Sequence, residues 1–483
     1  MDELLARALE TARLRGARYA DVRLVDSAEQ NLALKNGQVE GLTQVESAGL
    51  GVRVLVGQGW GFAATRELRP EAVEAAAALA VEIARASATV PGPPVDLGPP
   101  VASRGAYTTP LTIDPFSVSV EDKLALLLAA DAAMARVRGA PVRHANLGCV
   151  RERKYFANSE GADLEQTLYE AGAGITALAV DGDDVQRRSY PSPYRQMGTG
   201  GWEFVLALDL PGQAERIASE AVQLLAADPC PQDLVTTVII GGEQLALQVH
   251  ESCGHPAELD RVFGAEAAFA GASFLTPDKL GGFAYGSPVV NLTADALRPN
   301  GLGTYGWDDE GVPATSTPLV QGGRFVGYLM SRETAPRLGL TSNGCMRAAG
   351  WNRLPLIRMP NVSLEPGDWA LDDLIADTDE GIYVETNRSW SIDDKRYNFQ
   401  FGTELGYEIK HGKLGRLLRD CTYAGLTPEF WNSCDAVCNA GHWRMWGTPN
   451  CGKGQPSQII HTGHGAAPAR FRRVRVGVYH EDD

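Results

Sequence analysis

The chain has 483 residues, of which 44% are hydrophobic and 22% charged, and a formal net charge of −16 at pH 7. This length allows two or three domains, each with its own core. The acidic balance argues against nucleic acid or an anionic membrane as the main partner, because both carry negative charge. The 53 glycines and 28 prolines predict many turns and short strands.

The N-terminal segment, Met1 to Glu10, predicts an amphipathic helix with acidic residues in its first turn. It lacks the basic stretch and apolar core of a signal peptide, and no later run of apolar residues is long enough to span a membrane. We therefore expect a cytoplasmic protein. In that reducing compartment, each of the eight cysteines is expected to be a buried thiol or a metal ligand.

Residues 1–90 are predicted to form an N-terminal α+β domain. Between Ala20 and Thr65 the sequence alternates apolar and polar residues in four or five strand-like runs. Asn36-Gly37, between two of these runs, is a strong signal of a hairpin turn. An alanine-rich helix is expected from Pro70 to about Ala88, so the domain would consist of a helix, an antiparallel sheet and a second helix.

The rest of the chain divides at two segments rich in proline. Residues 91–116 are rich in Pro, Gly and Ser and predict a linker, and Pro229-Cys230-Pro231 marks the second boundary. Between them, residues 117–231 are predicted to form a middle α+β domain. Residues 232–483 are predicted to form a strand-rich C-terminal domain, which ends in a strand from Arg470 to Tyr479. The predicted fold class of the whole chain is α+β.

One motif carries most of the chemical information, His250-Glu251-Ser-Cys-Gly-His255. The β-branched run Leu234–Ile240 predicts a strand that a glycine pair ends, and Glu243–Val249 predicts a helix with the motif at its end. Two neutral imidazoles can bind Zn²⁺, and the adjacent carboxylate of Glu251 can take a proton from a water at the metal. This is the arrangement of His-Glu-x-x-His peptidases with one residue more.

The extra residue constrains the backbone. At about 100° per residue, a spacing of five turns the second imidazole roughly 140° from the first, against roughly 40° for a spacing of four. A regular α-helix therefore cannot bring His250 and His255 to one ion. Either a π-bulge widens the turn or the helix ends there, and Gly254 is compatible with both. We predict a distorted helix between Val249 and Pro256; the alternative is that the two histidines are unrelated residues at a helix end.

A peptidase site needs a third protein ligand and a position left for water. Spacing alone cannot choose among the downstream candidates, which are acidic residues, Cys345, Cys421, Cys434, Cys438, His442, Cys451, His461 and His464. The segment Asn450–Pro456 is the most informative of these. Its glycines allow a tight turn that presents Cys451, and Lys453 nearby would favour the thiolate.

The combination of His250-Glu-x-x-x-His255 with Cys451-Gly-Lys-Gly-Gln455 resembles the TldD/PmbA family of zinc metallopeptidases. Further segments are similar to that family, among them Tyr19-Ala-Asp-Val-Arg23, Gly49-Leu-Gly-Val-Arg-Val54, Gly59-Trp-Gly-Phe62, Asp308-Asp-Glu-Gly-Val-Pro313 and Gly323-Arg-Phe-Val-Gly-Tyr328. The resemblance implies that His250, His255 and Cys451 hold one Zn²⁺ per chain. It also implies that Glu251 is the general base that activates a water at the zinc. Because the motif is present, the chain resembles the active TldD-type subunit.

The resemblance further implies a substrate and a partner. The substrate would be an unfolded or modified peptide, bound in extended form by pairing as an added strand, and the reaction would mature or degrade it. The zinc would be enclosed in a dimer, formed with a second copy of the chain or with a motif-lacking subunit of the TldE/PmbA type. Neither nucleic acid nor a membrane is expected as a partner.

Two other functions stay open at this point. One is a non-catalytic peptide-binding or scaffold subunit with a structural zinc. The presence of Glu251 argues against it, since a closed structural site has no use for a general base. The other is a metal-dependent hydrolase that acts on non-peptide amides, which only the family resemblance disfavours.

Two groups of residues downstream have no clear role in the sequence. Cys434, Cys438 and His442 would line one face of a helix and could hold a second metal. We favour an ordinary structural role for them, because the paired Cys-x-x-Cys spacing is absent. His461 and His464 lie near Cys451 in sequence, and they either reach the substrate site or merely close a loop.

Overall fold

The computed structural model describes residues 2–193 and 195–477. Within them the fold is α+β, as the sequence predicts, and no helix combines the length and hydropathy required to cross a membrane. The α-helices are α1 Asp2–Leu14, α2 Pro70–Ser87, α3 Val120–Met134, α4 Trp202–Ala207, α5 Leu210–Leu225, α6 Gly242–Val249, α7 Leu259–Val262, α8 Leu371–Ala376 and α9 Thr427–Asn432.

The strands of the first half are β1 Tyr19–Lys35, β2 Gln38–Val56, β3 Gly59–Thr65, β4 Arg104–Thr108, β5 Val142–Asn158, β6 Asp163–Asp181, β7 Asp184–Tyr190, β8 Gln196–Thr199 and β9 Asp228–Pro229. Those of the second half are β10 Leu234–Ile240, β11 Leu292–Asp295, β12 Ser316–Gln321, β13 Arg324–Phe325, β14 Met346–Arg347, β15 Leu356–Ile357, β16 Val362–Leu364, β17 Glu380–Ile392, β18 Asn398–Lys410, β19 Lys413–Arg419, β20 Thr422–Leu426, β21 Cys434–Val437, β22 Arg444–Lys453, β23 Gln458–Ala466 and β24 Ala469–Val476.

The N-terminal half is organised around one eight-stranded sheet. Its main path runs β3-β2-β1-β5-β6-β4, and β7 and β8 also pair with β6. The pairs are antiparallel except for β4 with β6, which is parallel. Strands from residues 1–90, 91–116 and 117–231 therefore lie side by side, and the segment predicted as a linker contributes β4.

The two long strands β1 and β2 meet at the predicted hairpin. Asn36 and Gly37 have φ angles of 51° and 73°, the left-handed pair that a two-residue type I′ turn requires. The prediction of four or five strands before Thr65 is wrong, because β1 and β2 run unbroken over 17 and 19 residues and only β3 follows them. β5 pairs with the other side of β1 and keeps its polar stretches extended.

Helices cover only one face of this sheet. The apolar residues at even positions of β1, from Val22 to Leu34, are buried beneath α1, α2 and α3. Because successive side chains of a strand alternate between faces, Asp21 and Arg23 point to the other face, together with Arg53 of β2 and Lys154 of β5. All four charges are buried there and need partners within the protein.

Acidic residues from the C-terminal half supply part of this pairing. Arg53 Nη2 lies 2.6 Å from Asp21 Oδ2 and 3.2 Å from Glu310 Oε1, and all three side chains are at most 5% exposed. The two charges of a buried ion pair depend strongly on each other, since removal of one leaves its partner buried and uncompensated.

Asp309 makes the second link between the halves. Its Oδ1 lies 2.8 Å from Lys154 Nζ, and its Oδ2 lies 3.4 Å from Arg23 Nη1. Burial alone would raise the pKa of Asp309, but the charges of Lys154 and Arg23 more than offset it and hold the pKa below its ordinary value. The N-terminal sheet is therefore attached to the C-terminal half through buried, paired charges.

The C-terminal half contains a second eight-stranded sheet, with the order β17-β10-β24-β20-β18-β19-β9 and β21 paired with β24. β10 lies between β17 and β24, and its last three residues, Val238 to Ile240, are fully buried. Gly241 then turns the chain into α6, so the predicted strand, turn and helix are all present. The predicted closing strand corresponds to β24; Tyr479, like Met1 of the predicted first helix, lies outside the described residues.

We expect Asp309→Asn to lower the free energy of unfolding by about 3 kcal/mol, because Arg23 and Lys154 would stay buried without the one carboxylate that pairs with both. The midpoint of urea unfolding, followed by tryptophan fluorescence, measures the change. Asp420→Asn is the matched control: Asp420 pairs with Arg388 and its side chain is 48% exposed, so the expected loss is below about 1 kcal/mol. Equal losses in the two variants would contradict this account of the interface.

Candidate metal centre

The end of α6 carries the two histidines of the motif. After Val249 the helix widens into a π-helical turn, His250–Gly254, and then tightens into a 3₁₀ turn, His255–Ala257. The N–H of His255 donates to the carbonyl of His250, five residues earlier. The wider turn returns the second imidazole to the side of the first, with ring centroids 4.8 Å apart. The predicted distortion between Val249 and Pro256 is confirmed, in its π-helical form.

Packing requires glycine at position 254. A Cβ on Gly254 would lie 1.9 Å from Sδ of Met359, well inside contact distance. Met359 is itself fully buried in the core of the C-terminal half and has little room to withdraw. The absence of a side chain before His255 thus lets the wide turn lie directly against the core.

The third donor comes from the hairpin of β22 and β23. Cys451 lies on β22 opposite Ile460, after an irregularity in the pairing that begins at Thr448. Its Sγ is 3.6 Å from Nε2 of His255, and the donor atoms of His250, His255 and Cys451 all lie within 4.8 Å of one another. In the part of the chain that the structure describes, none of the other cysteine and histidine candidates contributes a donor to this cluster. These candidates are Cys345, Cys421, Cys434, Cys438, His442, His461 and His464.

Nδ1 of each motif histidine, His250 and His255, donates a hydrogen bond to a buried acceptor. His464 Nδ1 lies 2.9 Å from the carbonyl oxygen of Val362 and must donate to it, so its Nε2 accepts from Nδ1 of His250 at 2.7 Å. Nδ1 of His255 donates to Oε2 of Glu258 at 3.0 Å. In both motif histidines the proton is therefore on Nδ1 and the lone pair of Nε2 is free. This is the tautomer that a metal ligand needs.

Burial and nearby charge set the protonation of the three donors. Burial lowers the pKa of His250 below its ordinary value and that of His255 well below it, so both imidazoles are neutral at pH 7. Burial alone would raise the pKa of the Cys451 thiol, but the charge of Arg358 and the contact with His255 more than offset it, and the pKa is lowered. Arg358 is close because its Nη2 donates to the carbonyl of Cys451 at 2.6 Å.

Lys453 does not have the role in thiol activation that the sequence suggests. Its ammonium group is buried and lies 2.7 Å from Asp260 Oδ1 and 3.3 Å from Glu258 Oε2. The expectation that Lys453 favours the thiolate of Cys451 is wrong, because these carboxylates engage its charge and Arg358 supplies the charge that acts on the thiol. Lys453 instead fixes the carboxylate that orients one of the motif histidines.

The donor set fits a transition-metal ion. Two neutral imidazoles and a thiol of lowered pKa, each at most 3% exposed, offer nitrogen and sulfur. Such donors suit zinc and its neighbours, whereas Mg²⁺ and Ca²⁺ prefer oxygen. Three protein donors are also the number found where one position stays free for water or substrate.

A cavity of about 290 Å³ opens onto the three donors. Glu251 lines it, and its side chain is 8% exposed. Oε2 of Glu251 accepts a hydrogen bond from Nη1 of Arg396 at 2.7 Å. Trp390 of β17, 42% exposed, stands at the same cavity. The site therefore combines metal donors, a carboxylate and a cation around one cavity.

The region from Cys434 to His442 is not a helix. Cys434 begins β21, which is extended because it pairs with β24, so the prediction of one helical face for Cys434, Cys438 and His442 is wrong. Nε2 of His442 accepts from the backbone N–H of Leu371. The structure thus gives His442 a structural partner, in keeping with the ordinary role favoured from the sequence.

The two histidines of β23 have separate environments. Nδ1 of His461 lies 2.5 Å from Oε2 of Glu170 at a second cavity, on the side of the N-terminal sheet. His464 is fully buried and holds His250. His464 therefore neither reaches the substrate site nor merely closes a loop. It accepts a hydrogen bond from the motif histidine His250.

Sequence reasoning missed three residues of the site, Glu258, Arg358 and Arg396. Glu258 follows His255 by three residues, a spacing that places two side chains on one side of a helical turn, and this signal was available. The two arginines had none. Arg358 precedes Cys451 by 93 positions and Arg396 follows Glu251 by 145, and only the folded chain brings each pair together.

Comparison with known proteins relates this architecture to one family. Residues 20–84 match the first domain of the PmbA/TldA metallopeptidases, residues 113–227 their central domain and residues 235–477 their C-terminal domain. A metalloprotease of Methanocaldococcus jannaschii is 30% identical over 87% of this chain and 89% of its own. A metalloprotease TldD homolog of Haemophilus influenzae is 26% identical over 95% of this chain and 92% of its own.

Solved structures share the fold over nearly the whole chain. A protein of Thermotoga maritima, described as a candidate modulator of a DNA gyrase, has a TM-score of 0.78 at 19% identity, with 99% of this chain and 100% of that chain covered. TldE from Thermococcus kodakarensis has a TM-score of 0.75 at 18% identity, with 98% and 100% covered. At such identities the likeness concerns the fold alone. The three matched domains and the related metalloproteases assign the rest: this chain belongs to the PmbA/TldD family and is a metallopeptidase.

Proposed function

We propose that this chain is a zinc-dependent peptidase that hydrolyses unfolded or modified peptides in extended form. The observation that carries the proposal is the convergence of His250, His255 and Cys451 within 4.8 Å at a cavity that Glu251 also lines. Zinc is the metal that this donor set suits best, because borderline-soft Zn²⁺ takes nitrogen and sulfur ligands together.

Nε2 of His250, Nε2 of His255 and Sγ of Cys451 would hold the ion. When bound there, zinc supplies Lewis-acid chemistry, in that it polarises the scissile carbonyl and makes a water acidic enough to attack at neutral pH. The histidines keep the required tautomer through His464 and Glu258. Burial of all three donors excludes bulk water and strengthens every electrostatic interaction among them.

Glu251 is the proposed general base. Its carboxylate takes a proton from the attacking water and then passes that proton to the amine that leaves. A carboxylate beside the first ligand and open to the same cavity supports catalysis over a scaffold role, since a structural site would carry a fourth protein donor in place of an open position.

The hairpin of β22 and β23 supports binding of the peptide as an added strand. Among the described strands, β22 pairs only with β23. The side chain of Gln196 already binds the carbonyl of Met445 and the N–H of Gly447, and residues 448–452 beyond them line the cavity on the way to Cys451. An extended peptide on this side would make hydrogen bonds through its backbone and would tolerate many side chains. Such breadth suits maturation or degradation of peptides that have no fixed structure.

We also propose that the enzyme works as a dimer, either with a second copy or with a motif-lacking subunit of the TldE type. The similarity of fold to TldE from Thermococcus kodakarensis supports this, since one fold then serves both kinds of subunit. The native mass of the purified chain separates the two forms: a homodimer has twice the mass of the chain, and a heterodimer forms only after a TldE-type chain is added.

Elemental analysis of the purified chain tests the ligand set. We expect about one zinc per chain in the wild type and in Glu251→Gln, and no stoichiometric zinc in His250→Ala or Cys451→Ala, since each of these removes one of three protein donors. Zinc retained by Cys451→Ala would assign the third ligand to another residue. A wild-type chain purified without chelator that contains no zinc would contradict the proposed cofactor.

Glu251→Gln is expected to lower kcat by about 10²- to 10⁴-fold while zinc stays bound, because the amide cannot take the proton. The assay is cleavage of a fluorescence-quenched pool of short unstructured peptides, with simple aryl amides tested in parallel to detect a non-peptide hydrolase. Glu67→Gln is the control, since Glu67 is exposed on the N-terminal half and pairs with Arg69. Unchanged kcat in Glu251→Gln would refute the base assignment.

His464→Ala is expected to raise the zinc dissociation constant about 10- to 100-fold, because Nδ1 of His250 would lose the acceptor that fixes its ring. Competition with a chromophoric chelator measures the constant. His461→Ala is the matched control on the same strand, since His461 contacts Glu170 instead. If the two variants bind zinc equally well, His464 has no part in holding the ligand.

A further inference from the structure

One charged side chain of the metal cavity takes no part in the reaction as proposed so far. Arg396 lies in the turn between β17 and β18, lines the cavity and is 15% exposed. Its Nη1 donates to Oε2 of Glu251 at 2.7 Å. The guanidinium group therefore lies beside the base, in the cavity that the metal donors also line.

The turn is built to direct this side chain inward. Arg396 has a φ of 63°, a left-handed conformation that is strained for a long side chain and concentrates at functional sites. The N–H groups of Arg396 and Tyr397 donate to the carbonyl and to Oδ1 of Asp393, and the hydroxyl of Thr427 donates to the carbonyl of Arg396. The ring of Tyr397 packs on Phe274 with centroids 5.5 Å apart. Contacts on both sides thus fix the strained turn.

The guanidinium group has donors left over. Of its five N–H groups, Glu251 engages one through Nη1. Nε of Arg396 is buried and has no hydrogen-bond partner within residues 2–193 and 195–477. A buried donor without an acceptor is destabilising. An oxygen of a substrate bound in the cavity would give such a donor an acceptor.

On the basis of the proposed peptidase function, we propose that Arg396 is a further catalytic residue, which donates hydrogen bonds to the oxygen of the scissile carbonyl. As water adds, a C–O bond forms to the carbonyl carbon, the π electron pair moves to the carbonyl oxygen, and Glu251 takes the water's proton. Arg396 stabilises the negative charge on that oxygen. The C–N bond then breaks, the carbonyl forms again, and the proton on Glu251 passes to the leaving amine.

Arg396→Ala tests this role in the full-length, zinc-loaded chain. We expect kcat for the best-cleaved peptide of the pool to fall about 10²- to 10³-fold while KM changes less than about threefold and the zinc content stays the same. Added guanidinium chloride is expected to restore part of kcat in this variant and none in Glu251→Gln. Arg388→Ala is the matched control: Arg388 lies on the same hairpin but pairs with Asp420 outside the cavity, and kcat should not change.

Binding of a phosphinic peptide, an analogue of the tetrahedral intermediate, separates stabilisation of the oxygen from alignment of the base. We expect Arg396→Ala to weaken binding of this analogue at least about tenfold even in the Glu251→Gln background, because the lost donors face the ligand. Equal affinity in Glu251→Gln and in the double variant would assign Arg396 to positioning Glu251 and overturn the proposal.

Two other results would also overturn it. One is a kcat within threefold of wild type in Arg396→Ala while Glu251→Gln is inactive. If Arg396→Ala does not fold or loses zinc, Arg396→Lys and Arg396→Gln are compared instead, since their side chains differ in charge but little in size. Equal kcat in these two variants is the second result that would overturn the proposal. Full activity of Glu251→Gln would instead remove the proposed function itself, so the two failures are distinguishable.

Discussion

The five-residue turn at the end of α6 is the constraint on which the site depends. On a regular helix the two imidazoles would diverge by roughly 140°, and no arrangement of the rest of the chain would bring both to one ion. The π-helical hydrogen bond from His255 to His250 removes that divergence. A wide turn is inherently less favourable than an α-helical one, and here it is buried, with Gly254 directly on Met359. Tertiary packing thus stabilises the backbone form that the chemistry needs.

One hairpin determines the position of two of the three donors. β22 carries Cys451, and β23, paired with it, carries His464, which holds Nδ1 of His250. The third donor, His255, is held by Glu258 from the next turn of the same segment. Two donors therefore depend on the hairpin and the third on its own segment, and a shift of the hairpin would displace Cys451 together with the acceptor that holds His250. Preorganisation of this kind keeps the geometry fixed before a metal or a substrate arrives.

What the sequence reveals and what it hides follow from how local each interaction is. Asn36-Gly37 fixes its turn through its own backbone, and the spacing of His250 and His255 requires a distortion whatever surrounds it, so both were predictable. The unbroken length of β1 depends on β5, more than a hundred residues away.

The same distinction explains the errors at the site. The segment that begins at Cys434 is a strand because β24 pairs with it, and nothing within the segment announces this. The sequence suggests Lys453 as the cation for the thiol because it is two residues from Cys451, yet Asp260 engages it, and the residue that acts is Arg358. Proximity in sequence therefore does not identify the residue whose charge acts on Cys451.

The cavity is lined by residues from both halves of the chain. The metal donors belong to the C-terminal half, whereas Ser192, which also lines the cavity, lies just after β7 of the N-terminal sheet. β7 is tied to the C-terminal half by Arg188 to Glu385 at 2.9 Å and by the N–H of Ser189 to Glu404 at 2.7 Å. These contacts between the two halves thus hold the segment that contains Ser192 beside the residues of the C-terminal half that line the cavity. The contacts that attach the two halves and the placement of the residues around the cavity are therefore linked in this fold.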